Sequence, residues 1–212
     1  MKQFAACLFL VILIVSCSPA SRESTDGGVQ ASFADSLFRH NGQQAFRASA
    51  LNADYDTATK AFRLTALSDA HRQLLTDTLY GGSPYNAFYY SRLPLVGTVL
   101  PVTVLSEVTD GSPVDLFLIG ADGAVTASMK LSEGACDAAA QEGDGEQVAC
   151  AERFSVFADD STVRVTDLSF VTEASGKTGS VTTRDSVVSV FRITREGLLK
   201  LLTTDSSRTR TR

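Results

Sequence analysis

Three stretches of this chain are written in one frame, and that frame constrains the fold more than any other feature. Residues 114–129, 153–168 and 188–202 each run from an apolar segment through a short acidic turn into a second apolar segment. Ile119, Phe157 and Ile193 occupy equivalent places at nearly even spacing. Asp122-Gly123 and Glu196-Gly197 supply residues that tolerate the left-handed backbone of tight turns, and Asp159-Asp160-Ser161 closes its turn through side-chain oxygens. The flanks are rich in Val, Ile, Phe and Thr, as strands are. Alternation over residues 162–166 predicts one wet face. Each stretch therefore predicts a β-hairpin. As neighbours in one antiparallel sheet, the hairpins place their tight turns along one edge. The connections at the other edge, 132–152 and 172–184, are then long loops. Such a repeat resembles propeller blades, but three units are too few to close a propeller. The expected fold is mainly β: an antiparallel hairpin meander or sandwich, with a short helix near residues 69–80.

That helix is predicted from Ser68 as N-cap and from Leu74, Leu75 and Leu79 on one side, with Gly81-Gly82 as its stop. Residues 85–90 read as a strand. Residues 95–108 read as one or two strands broken at Pro101, and 31–67 as either short helices or short strands.

The N-terminus carries a different message. Lys2 precedes an unbroken apolar run over residues 4–15. Twelve residues suit the core of a signal peptide and fall short of the roughly 20 that span a bilayer. Ile14-Val15-Ser16-Cys17 resembles the lipobox of bacterial lipoproteins, in which the cysteine is acylated and becomes the new N-terminus. The resemblance implies a signal peptide over 1–16, lipidation of Cys17 with palmitate-type chains, and a membrane-anchored protein. Ser18, where inner-membrane members often carry aspartate, implies the outer membrane of the cell envelope before the inner. Residues 17–30 read as a lipidated cysteine and flexible tether, 31–204 as one mainly-β domain, and 205–212, with Arg208, Arg210 and Arg212, as a disordered tail.

The chain bears a formal net charge of −5, one unit more negative once Lys2 leaves. An acidic domain repels phosphate backbones and anionic lipid surfaces, so nucleic acid is not expected as a partner. With Cys7 inside the leader and Cys17 acylated, Cys136 and Cys150 remain, and an oxidising compartment predicts that they pair as a disulfide. Beyond the lipobox, Tyr80-Gly-Gly, Phe88-Tyr-Tyr, Asp115-Leu-Phe-Leu-Ile-Gly-Ala-Asp-Gly123 and Ile193-Thr-Arg-Glu-Gly197 resemble a group of envelope lipoproteins common in Bacteroidota. That group implies no activity and no functional residues.

Catalytic chemistry has little to stand on. His40 and His71 sit in no metal-binding pair, and no nucleophile elbow or phosphate-binding loop is present. No catalytic or metal residue is assigned, and no cofactor is expected. Glu133, Asp137, Glu142, Asp144 and Glu146 offer oxygens of the kind calcium takes, but at no EF-hand spacing, and charge in a long loop ordinarily keeps it solvated. The candidate binding surface is Asp137, Glu142 and Asp144 in the loop between the cysteines, with Tyr89 as an outward aromatic. The expectation is a non-enzymatic binding or accessory module of the cell envelope, with an envelope protein or glycan as partner. The competing expectation is an envelope hydrolase using dispersed carboxylates drawn from Asp115, Asp159, Asp160 and Asp167.

Overall fold

The computed structural model describes residues 32–48, 54–80, 86–107, 113–140, 146–174 and 180–211. The N-terminal part of the domain contributes four short strands: β1 (His40–Asn41), β2 (Ala45–Arg47), β3 (Tyr55–Asp56) and β4 (Ala61–Phe62). Helix α1 (Asp69–Tyr80) follows, and eight further strands complete the chain. These are β5 (Asn86–Arg92), β6 (Leu100–Glu107), β7 (Val114–Ile119), β8 (Val125–Ala140), β9 (Glu146–Asp159), β10 (Thr162–Ala174), β11 (Ser180–Ile193) and β12 (Leu199–Thr211).

Strands β5 to β12 form an antiparallel meander in chain order, with β1 added in parallel beside β5. Among the described residues the sheet does not close into a barrel. The pivot is β8. Its first half, Val125 to Ser132, pairs with β7, and its second half, Glu133 to Ala140, pairs with β9. The sheet therefore bends into two halves that share one strand. Where β8 has left β9, β2 takes the vacated ladder, with Phe46 opposite Ser155. The Ser155 hydroxyl donates to the Leu131 carbonyl at 2.6 Å, tying the two halves at the corner.

The inner faces of the halves pack on each other. Tyr90, Leu105, Leu116, Leu118 and Leu131 come from one half, and Phe46, Phe157, Val163, Val165 and Ile193 from the other. A second core lies on the far side of β5–β7. There Tyr89, Val102, Val104, Phe117 and Ile119 pack under α1 and an N-terminal segment through Leu75, Phe33 and Phe38. Being covered twice, β7 is buried at every residue, which explains why it reads as a continuous apolar run rather than an alternation. A bulge in β5 supplies both cores from adjacent residues, sending Tyr89 to one and Tyr90 to the other. Thr103 Oγ1 repairs the interrupted ladder, accepting from Ser91 N at 2.9 Å and donating to Ser91 O at 3.0 Å.

The three hairpins predicted from the sequence are β7–β8, β9–β10 and β11–β12. Their turns share one end, as Thr126 Oγ1 donating to Gly197 O at 2.8 Å shows for the first and third. Gly197 has φ +78°, and an added Cβ would collide with the Thr126 side chain. Helix α1 begins as expected, with Ser68 Oγ accepting from His71 N at 3.3 Å.

Three expectations are corrected, and one left open is resolved. The supposed loops at 132–152 and 172–184 are largely strand, because each ladder, once started, continues outward beyond the core. Residues 205–211 are not a frayed tail but part of β12, laid on the edge of β11 and pinned by Arg208 on Asp185 at 2.5 and 2.7 Å. Pro101 does not break a strand but sits one residue into β6, past the last residue paired to β5, where its missing N–H is harmless. The ambiguous segment before Leu67 resolves into short strands and a 3-10 turn, Asp35–Leu37.

Candidate functional site

Cys17 and the loop acids Glu142 and Asp144 lie outside the described residues. Cys136 and Cys150 stand directly opposite each other on β8 and β9 and form a disulfide with a Cα–Cα distance of 4.0 Å. Asp137 follows on β8, opposite Ala149. Beside the disulfide is a shallow cavity of about 240 Å³, lined by Ala48, Gly134, Phe170 and the two cysteines.

Tyr89 is not an outward platform. It is 2 % exposed. Alternation along β5 predicts an outward Tyr89, but α1 covers that face. The Tyr89 hydroxyl lies 2.6 Å from His71 Nδ1 and accepts from Ser68 N at 3.2 Å. Phe33 stacks on the His71 ring at 3.9 Å. The group is a structural clasp between helix and sheet, and burial holds the His71 pKa below its ordinary value of 6.5.

A second polar cluster joins the N-terminal strands. Asp54 is 3 % exposed and receives Arg39 Nε at 2.9 Å and His40 Nε2 at 2.7 Å. The two charge-assisted contacts compensate the burial of this carboxylate. No nucleophilic hydroxyl or thiol is bonded to His40 among the described residues, so the pair reads as a tie rather than as catalytic machinery.

The dispersed carboxylates do not converge. Asp115 is buried, on the same face of β7 as Phe117 and Ile119 beneath α1. Asp159 turns back on its own hairpin, accepting from Ser161 N at 2.8 Å, with its pKa lowered by that bond. Asp160 is exposed in the same turn. Asp167, five residues up β10 from Thr162 and so about 17 Å from that turn, is chelated by Arg153 at 2.6 and 3.0 Å. Among the described residues no group of three or more His, Cys, Asp or Glu is placed to hold a metal ion.

What remains open is the outer half of the sheet. On its inward side, past the core, a depression of about 360 Å³ is lined by Lys130, Glu133, Arg153, Asp167 and Asp185, whose charges are matched in Lys130–Glu133, Arg153–Asp167 and Arg208–Asp185 pairs. On its outward side a larger groove of about 580 Å³ runs across β9–β11, lined by Arg47, Phe154, Val156, Arg164, Arg184 and Val188. Sequence reading missed this groove. Its residues come from β2 and three later strands, and only the β2–β9 pairing adds Arg47 to it. The one available signal was Thr162-Val163-Arg164-Val165-Thr166, whose wet positions include Arg164. No family model, curated protein or solved structure matches this chain.

Proposed function

We propose that this chain is a membrane-anchored lipoprotein whose exported β-domain serves as a non-enzymatic binding or accessory module of the cell envelope. The observation that carries the binding half is the outward groove of about 580 Å³, an open, cation-bearing face held on long hydrogen-bonded strands. Interaction sites favour rigid scaffolds of this kind. The lack of convergence among Asp115, Asp159 and Asp167 weighs in the same direction and against a two-carboxylate hydrolase. The anchoring half rests on Lys2, the apolar run at 4–15 and Ile14-Val15-Ser16-Cys17.

The test is metabolic palmitate labelling followed by membrane fractionation after a high-salt wash. The native chain is expected to carry label and to stay with the membrane, and Cys17→Ala to lose the label. Equal labelling of both proteins would remove the anchor from the proposal.

A further inference from the structure

We propose that the outward face of β2 and β9–β12 is a docking surface for the anionic phospholipid headgroups of the bilayer that carries the anchor. The identity of that bilayer rests on the anchored reading above, whereas the surface itself is read from register and exposure.

Residues directly opposite on paired antiparallel strands point to the same face. Arg47 stands opposite Phe154, Phe154 opposite Thr166, and Thr166 opposite Val188. In the same parity, Arg164 lies between Val156 and Val190, Arg184 opposite Phe170, and Arg192 between Thr162 and Lys200. One face thus gathers Arg47, Arg164, Arg184, Arg192 and Lys200, all exposed, against the carboxylates of Glu152, Asp205 and, opposite Thr162 at the turn, Asp159. In a chain of net charge −5 this is segregation, not composition. Arg47 is paired, with Glu152 at 3.1 Å. Arg164, Arg184, Arg192 and Lys200 make no ion pair among the described residues. Arg192 and Lys200 are moreover direct cross-strand neighbours, an arrangement of like charges that costs stability. On the inward side of the same strands Lys130–Glu133, Arg153–Asp167 and Arg208–Asp185 are paired, and the remaining Arg210 and Glu173 cancel in charge. The outward side alone carries an excess of cations, a positive field that an external anion can meet.

The apolar residues between the cations select the kind of anion. Val156 is 43 % exposed, Val188 and Val190 are half-buried, and Phe154 lies half-buried with the Arg47 guanidinium 4.4 Å from its ring centre. A phosphate polymer offers them no apolar surface, and an acidic polysaccharide only the narrow C–H faces of its sugar rings. A lipid headgroup region does, with phosphates for the guanidinium heads and glycerol and upper acyl segments for the valines and phenylalanine. From Arg184 to Arg192 the face runs about 27 Å at the usual strand rise. The groove has the volume of a small-ligand site, enough to admit a headgroup. Residues 17–31 can reach about 50 Å when extended, which exceeds the length of the face and lets the domain lie down on its bilayer. The acidic remainder of the molecule is repelled by the same surface and so turns this side toward it.

The test is vesicle flotation with the full chain carrying Cys17→Ala, comparing phosphatidylglycerol-containing vesicles with phosphatidylcholine vesicles. The readout is the ratio of binding to the two, which cancels any contribution of the apolar leader. A ratio well above one at low salt is expected, falling toward one as salt rises. Each cation near an anionic bilayer contributes about fivefold to binding. Arg164→Glu with Arg184→Glu is therefore expected to lower the ratio at least about 25-fold, while Arg164→Lys with Arg184→Lys preserves it. Unchanged far-ultraviolet circular dichroism checks the fold of both variants, and the salt series on the unmutated face needs neither. A ratio near one at low salt, or one insensitive to both salt and charge reversal, overturns the proposal. Retention on heparin without vesicle binding overturns the lipid as occupant in favour of a soluble polyanion. Failure of the anchor is read separately, from palmitate incorporation.

Discussion

At the residue scale, the side chains that looked most functional are engaged in holding the fold. Tyr89 and His71 share a 2.6 Å contact under a stacked Phe33, and the ordinary signal of an exposed aromatic fails because a helix closes over it. Burial depresses the folded-state pKa of His71, so the neutral imidazole is the form the fold prefers. The unfolded chain then binds the extra proton first. The stability this group contributes is complete above its unfolded pKa of 6.5 and is lost as pH falls from there through the lower folded value. Denaturant midpoints measured across this window should fall with acidification, and His71→Phe should flatten that slope. A slope identical in the variant would show that other groups carry it.

At the scale of elements, hairpins were legible because turn chemistry and strand propensity agree locally. Asp122-Gly123, Asp159 to Ser161 and Glu196-Gly197 all fall where the strands reverse. Their lengths were not legible. Residues 132–140 and 180–188 lack the apolar alternation that marks a half-buried strand, yet they pair, because a ladder can extend past the core on hydrogen bonds and cross-strand contacts alone. The disulfide staples two such extensions across a sequence separation of 14. Removing it with Cys136→Ala and Cys150→Ala should lower unfolding free energy by about 3 kcal/mol in the chain-entropy model. Urea denaturation with and without reductant measures this, and an unaltered midpoint would mean that the ladder alone holds β8 to β9.

At the scale of the whole molecule, the partner switch of β8 turns a flat meander into two packed halves. Phe46 sits at the join, with ring centres 6.1 Å from Tyr90 and 6.0 Å from Phe157. Truncation to Ala opens a cavity between the halves and should cost about 3–5 kcal/mol, read as a lower denaturant midpoint with the slope unchanged. A loss under about 1 kcal/mol would show that the halves collapse onto the gap. Among the described residues the same arrangement leaves the outer parts of β9–β12 without a covering layer, which is what exposes the cationic face.

The sequence by itself determined the strand-rich class, the three hairpins and their shared turn edge, the helix with its Ser68 cap, and the pairing of Cys136 with Cys150 as an expectation later met. These depend on neighbours in the chain: turn residues, propensity, capping and cysteine count. Only the tertiary structure decided that Tyr89 is covered, that the chain from 205 is strand, that Asp115, Asp159 and Asp167 stay apart, and that Arg47 joins Arg164, Arg184 and Arg192 on one face. Each of these depends on which strand lies beside which, and above all on the bend at β8. That is set by the packing of side chains distant in sequence, and no local pattern encodes it.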